Sequence, residues 1–227
     1  MSGAGAELDP VARAALETVL EQLAVERASV SSVTTPEQAW KVHVEDSLTG
    51  LAVEDLRAAG RIADVGAGAG FPGLALAAAL PASRVDLVES VGRKCDFIRR
   101  AAGSAGIANA EVICARSEEL AKGSGREAYD AVTARAVGRL STLAELASPL
   151  LRDGGVLVAW KGRRDPGEEL ELERAAAELA MRPESVLEVG CFAGSRHRHL
   201  HVVRKEGETP PGLPRRPGMA KKRPRGG

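Results

Sequence analysis

The stretch Arg61–Gly73, RIADVGAGAGFPG, constrains the fold of this 227-residue chain more than any other. Ile62, Ala63 and Val65 form a short apolar run that stops at Gly66, the pattern of a buried parallel strand emptying into a turn. Pro72, with its fixed φ and missing N–H, suits the first turn of a helix, and the Ala/Leu run Gly73 to Leu80 suits its body. The expected order is strand, glycine turn, helix. Glycines at 66, 68 and 70 permit positive φ and carry no Cβ, so a nucleotide-type ligand can lie against the main chain at the carboxyl end of the strand.

Two frames fit these glycines. Gly68, Gly70 and Gly73 satisfy G-x-G-x-x-G, with Glu89 at about the distance expected of a ribose-binding acid in a dinucleotide enzyme. The second frame, Asp64-x-Gly66-x-Gly68-x-Gly70, begins where the strand ends and resembles that of S-adenosylmethionine (AdoMet) methyltransferases. AdoMet has no pyrophosphate, so the loop need only allow close approach of its methionine and ribose portions. In this frame Asp64 is expected to face the ammonium group, and Glu89 to accept hydrogen bonds from both ribose hydroxyls.

The rest of the chain repeats the alternation. Expected strands are Arg84 to Val88, Ala110 to Ala115, Tyr129 to Ala134 and Val156 to Trp160, with helices at Lys94 to Ala102, Leu140 to Leu151 and Glu168 to Met181. Two late strands, Ser185 to Phe192 and His199 to Arg204, are separated by a short turn around Gly194, as in a hairpin at a sheet edge. Upstream, Asp9-Pro10 opens a helix over Val11 to Ala28, and Thr35-Pro36-Glu37 opens another through Trp40, His43 and Leu48. The expected fold class is α/β, a seven-stranded Rossmann-like class I methyltransferase. A helical cap (1–50) precedes the catalytic domain (51–206) and a disordered basic tail (207–227) follows it.

Composition narrows the remaining choices. Hydrophobic residues make up 44% and aromatics 3%, so the core must be built from Ala, Val and Leu, as when helices cover both faces of a parallel sheet. The net charge of zero hides an asymmetry, since residues 207–227 carry six basic groups and one acidic. An acidic body with a basic tail implies an anionic partner. Cys95, Cys114 and Cys191 lack C-x-x-C spacing, which argues against a zinc site or a disulfide framework. No signal peptide or bilayer-length apolar run is visible, so a cytoplasmic monomer, free of membrane and metal, is expected.

Every candidate for chemistry falls at a strand end, where open α/β sheets bind ligands. Arg116-Ser117-Glu118-Glu119 can border an adenine, although Ser117 with acids in the first turn is also an ordinary helix cap. Arg135 and Trp160-Lys161-Gly162 follow the fourth and fifth strands, where cationic groups suit a phosphate or a guanine edge.

A specific resemblance covers almost the whole chain. His43-Val-Glu-Asp-Ser47, Asp64 to Gly73 with its Gly-Phe-Pro-Gly ending, Glu89-Ser90 with Arg93-Lys94, Arg116 to Glu119, Arg135-Ala136, Lys161-Gly162 and Arg198-His-Leu200 resemble the bacterial small-subunit ribosomal RNA methyltransferase G family. The tail, Pro214 to Gly218 followed by Lys221-Lys222, resembles the basic ending of many members. The resemblance implies AdoMet-dependent methylation at N7 of one guanine in the decoding-region loop of 16S rRNA, free or in an assembling small subunit. It places Gly66, Phe71, Ser117, Glu118 and Arg135 at cofactor-binding positions, beside Asp64, Gly68 and Glu89. His43, Arg135, Lys161, Arg198, Arg215, Arg216, Lys221 and Lys222 are the candidates for RNA contact. Ser29-Val30-Ser31, Val42 and Leu213 depart from common family residues without touching the cofactor positions.

Guanine N7 carries a lone pair and no proton, so no general base is required and no acid/base residue is assigned. Arg135 or Lys161 would position the guanine, and Phe71 or Trp160 could stack on an extruded base. Three other readings stay open at this point: a small-molecule methyltransferase, an NAD-binding protein using the other glycine frame, and a noncatalytic RNA-binding protein.

Overall fold

The computed structural model describes residues 8–26, 35–190, 195 and 197–226. The end of the first expected helix, the Ser29-Val30-Ser31 segment, Cys191 and the turn around Gly194 lie outside the described residues.

The cap begins with α1 (Pro10–Val25), whose first turn is closed by the Asp9 carboxylate accepting the Val11 N–H at 2.7 Å. The second helix opens where expected, behind the Thr35 cap, as α2 (Pro36–Ala39). It then widens into a π-helical turn over Trp40–Glu45 before α3 (Asp46–Leu48) and a tight turn, Thr49–Ala52. A short helix that the sequence did not lead us to expect, α4 (Glu54–Arg57), delivers the chain to β1 (Arg61–Val65).

Alternation then proceeds through α5 (Gly73–Ala79), β2 (Arg84–Glu89), α6 (Gly92–Ser104), β3 (Ala110–Cys114), α7 (Ser117–Leu120) and β4 (Tyr129–Arg135). It continues with α8 (Leu140–Ala147), β5 (Leu151–Lys161), α9 (Pro166–Ala176), β6 (Met181–Glu188) and β7 (His199–Lys205). The seven strands lie in the order β3-β2-β1-β4-β5-β7-β6, parallel except for β7, which is antiparallel to both its neighbours. The order reverses between β1 and β4, the switch point at which such sheets open a crevice.

Two-residue alternation sorts the side chains onto two cores. Ile62, Leu87, Val158 and Trp160 face the cap with α5 and α6, whereas Ala63, Val65, Leu157 and Ala159 face α8 and α9. Some boundaries differ from expectation. Asp153-Gly154-Gly155 does not separate helix from strand but lies inside β5, where Gly154 at φ +77° accompanies a register shift opposite Tyr129–Ala131. The helix expected to reach Met181 ends at Ala176 in its α-form, and Ala180 at φ +50° turns the chain into β6.

The expectation of a disordered tail is corrected. Residues 207–226 pack across the second core, with Leu213 buried in it, and end in α10 (Met219–Lys222). The segment has no apolar periodicity of its own because the body anchors it with scattered acids: Glu127 accepts the Thr209 N–H at 2.6 Å, Glu145 pairs with Arg215, and Glu178 pairs with Arg225. Among the described residues, no helix is long and apolar enough to cross a membrane.

Candidate active site

The glycine loop lies at the carboxyl end of β1, held to the sheet by Gly66 N–H and Ala67 N–H donating to the Val88 carbonyl at 2.8 and 3.2 Å. Gly66, Gly68 and Gly70 have φ of +72°, +61° and +91°, which explains their identity. A Cβ on Gly66 would stand 2.6 Å from Val137 Cγ2, so the missing side chain lets Val137 pack against the loop.

Asp64 does not face the crevice. Its side chain is fully buried beneath the loop, where Oδ2 accepts the Gly73 N–H and Oδ1 the Thr133 hydroxyl, each at 2.9 Å. Burial raises its pKa to about 6, while those two hydrogen bonds pull the other way. The expected ammonium contact is therefore replaced by a structural one: Asp64 fastens the loop and the start of α5 to the sheet.

Glu89 ends β2 as a buried carboxylate whose Oε1 accepts the Ser90 and Val91 N–H groups at 2.7 and 2.9 Å, and whose Oε2 accepts the Gly68 N–H at 3.1 Å. It links the β2 turn to the glycine loop. Behind it, the Cys95 thiol donates to the Glu89 carbonyl, and burial pushes its pKa up to about 12, so this cysteine is an inert packing group.

A cavity of about 190 Å³ opens in front of these groups, between Gly66, Glu89, Ser117, Glu118 and Val137. Ser117 and Glu118 open α7, and their side chains point inward, each 7% exposed. The Ser117 hydroxyl donates to Glu118 Oε2 at 3.3 Å, and Glu118 Oε1 accepts the Gly218 N–H at 2.7 Å. Glu89 and Glu118, two carboxylates lining one cavity, can accept hydrogen bonds from the hydroxyls and amine of a nucleoside. The sequence did not point to Val137, Thr142, Gly218 or Ala220, which complete the slot, because none carries a motif of its own.

A second cavity, about 200 Å³, lies across β4 and is lined by Asp46, Arg135, Trp160, Lys161, Arg198 and His199, among others. Asp46 ties it together: its Oδ2 accepts from Arg135 Nη1 at 2.7 Å, and its Oδ1 is 3.6 Å from Arg198 Nε. Arg135 also donates to the Val42 carbonyl at 3.1 Å, fastening the π-helical turn to the sheet. Lys161 is committed to Glu168 at 2.6 Å and to the Gly138 carbonyl at 3.1 Å. Arg198 is the most exposed of the three cations, at 41% against 17% for Arg135 and 20% for Lys161. It is the one best placed to meet an incoming anion.

His43 and Phe71 stack with centroids 5.1 Å apart and an interplanar angle of 25°, both buried where the cap meets the loop. Burial, then the positive charge of Arg135, lowers the His43 pKa to about 4, with Asp46 opposing. His43 is thus held neutral where it packs on Phe71. Trp160 is also buried, its indole N–H donating to the Asp46 carbonyl at 2.9 Å. In the C-terminal segment, Arg215 is held by Glu145 and half-buried, whereas Arg216, Lys221 and Lys222 are exposed. Arg135, Lys161 and Arg198 come together around the second cavity, whereas Lys221 lines the first.

The two cavities share one wall. Arg135 and Ala136 line the second and Val137 the first, with Ala136 held at φ +59°, a conformation costly for a residue with a Cβ. The family model for rRNA small subunit methyltransferase G matches residues 16–200, which include both cavities' sheet residues. The chain belongs to that family. A "Ribosomal RNA small subunit methyltransferase G" of Rubrobacter xylanophilus is 47% identical over 207 residues, 88% of this chain and 79% of the relative. One from Pelotomaculum thermopropionicum is 41% identical over 86% of this chain and 82% of its own. Among solved structures, a Bacillus cereus O-methyltransferase in complex with SAH shares the fold with a TM-score of 0.59 at 19% identity, covering 89% of this chain and 94% of that one. A predicted O-methyltransferase of Agrobacterium tumefaciens gives 0.54 at 25% identity over 74% and 81%.

Proposed function

We propose that this methyltransferase G family member transfers a methyl group from AdoMet to N7 of one guanine in the decoding-region loop of 16S rRNA. We take it to act as a cytoplasmic monomer on free rRNA or an assembling small subunit. The observation that carries the reading is the pair of cavities sharing the Arg135–Val137 wall, one lined by acceptors that suit a nucleoside and the other rimmed by cations. Family membership favours the glycine frame that begins at Asp64 over the dinucleotide frame.

The residues present suit AdoMet. Gly66 lines the cavity without a side chain of its own, Glu89 can receive the ribose hydroxyls, and Glu118 with Ser117 can receive the adenine amine. When bound, AdoMet supplies an electrophilic methyl group on a sulfonium sulfur. Guanine N7 needs no deprotonation, so the protein's work is positional. Arg198 and the Arg135–Asp46 pair orient the purine or its phosphate, and the Phe71–His43 stack, closed by the cap, keeps water from the loop.

The test is transfer of labelled methyl from AdoMet to isolated 16S rRNA, to small subunits and to free guanosine. Label recovered as 7-methylguanosine in the RNA supports the reading. Label passing to the free nucleoside with none in RNA would contradict it and favour a small-molecule enzyme.

A further inference from the structure

The first cavity has a wall that no part of the glycine motif supplies. Gly218, Ala220 and Lys221 line it from the C-terminal segment, opposite Gly66 and Glu89. We propose that residues 213–226 are a working part of the cofactor site, building the outer wall of the adenosine cavity and fixing the Glu118 carboxylate that faces it. This rests on the reading of that cavity as the adenosine site.

The contact at the centre is the Gly218 N–H donating to Glu118 Oε1 at 2.7 Å. A carboxylate as buried as Glu118 must be given donors to stay in place, and the segment provides one of them. Gly218 sits at φ +80°, the backbone conformation that turns this N–H inward and that favours glycine. Anchors flank the contact on both sides. Before it, Leu213 is buried in the core with its carbonyl accepting from Arg126 at 3.3 Å, and Arg215 grips both oxygens of Glu145. After it, the Thr142 hydroxyl donates to the Ala220 carbonyl at 3.3 Å, and Arg225 reaches Glu178.

Ala220, 3% exposed, is the small side chain at this wall. Arg216, Lys222 and Arg223 of the same segment are exposed and do not line the cavity, so the segment that closes it also carries cations open to an anionic partner.

Two measurements test this. In the first, AdoMet and 5′-methylthioadenosine, which keeps the adenosine and loses the methionine, are titrated calorimetrically into the full chain and into Ala220→Trp. The substitution removes none of the side chains that anchor the segment and adds bulk at a position lining the slot, so affinity for both ligands should fall at least about tenfold. In the second, hydrogen exchange of the unaltered protein is followed with and without AdoMet, and amides in 213–226 should exchange at least about tenfold more slowly with it. This measurement stands even if the variant does not fold. Equal affinities for a folded Ala220→Trp, or unchanged exchange in 213–226 while the glycine loop becomes protected, would overturn the inference and leave the cofactor reading intact. A full chain that binds neither ligand would overturn both.

Discussion

Gly66 has no room for a side chain, since its φ is +72° and a Cβ would stand 2.6 Å from Val137. Gly66→Val is expected to weaken AdoMet binding by at least about 2 kcal/mol in a protein that still folds. Calorimetry returning the original affinity would show that the cofactor does not cross this loop. Glu89→Ala should cost on the order of 2 to 3 kcal/mol of the same affinity, because charge-assisted bonds to the ribose are lost. Thermal melting should fall as well, since the Gly68, Ser90 and Val91 N–H groups lose their acceptor. His43 gives a prediction about pH. Its folded pKa of about 4 lies below its ordinary 6.5, so the unfolded chain takes up the proton first, and stability is lost as pH falls from about 6.5 toward 4. Asp64 acts with the opposite sign, because burial raises its pKa from 3.8 to about 6 and the folded state protonates first. His43→Gln should therefore lose about 2 kcal/mol less than the original protein between about pH 7 and 5, measured by urea unfolding. Parallel pH profiles would place His43 outside the core. Glu89, Ser117 and Glu118 were legible as residues because each ends a strand or follows one. Asp64 was legible as part of the motif but not in its role, since nothing in the local pattern shows that Thr133 and Gly73 lie beside it.

At the scale of elements, β1, β2 and β4 were readable because each is a short, largely apolar run emptying into a turn, whereas β6 begins at Met181 rather than at Ser185, in a polar stretch with one buried residue and no apolar run to mark it. The cap was less readable. Trp40–Glu45 has the composition of an ordinary amphipathic helix, and only tertiary contact widens it into a π-turn that sets His43 against Phe71 and Asp46 against Arg135. Helix propensity does not distinguish the two forms. The docking of cap on sheet depends on Trp160, whose indole lies 2.5 Å from where a Cβ on Gly50 would stand. Gly50→Ala is accordingly expected to destabilise the fold by about 1 to 3 kcal/mol through overpacking. It should also disturb the Arg135–Asp46 pair, reducing methyl transfer to RNA more than AdoMet binding. A loss of cofactor affinity equal to the loss of transfer would mean that the cap serves the first cavity instead.

For the whole molecule, the neutral net charge divides into an acidic body and a basic C-terminal segment, and the segment is held to the body through that difference. Sequence alone made it look free, because its anchors are single acids scattered over the body and carry no periodic signal. Arg216, Lys222 and Arg223 remain exposed. Replacing these three by Gln should lower the slope of log affinity against log salt for rRNA by about 2 to 3, at roughly 0.7 to 0.9 per phosphate contact. An unchanged slope would assign RNA contact to the face around Arg198. A nucleoside slot and a cationic pocket meet across one wall, an arrangement for methyl transfer to a ribosomal guanine. Mass-spectrometric mapping of modified nucleosides in 16S rRNA from cells with and without this protein tests that arrangement most directly. One 7-methylguanosine, in the decoding-region loop and present only with the protein, is the expected result, and identical modification maps from the two would contradict it.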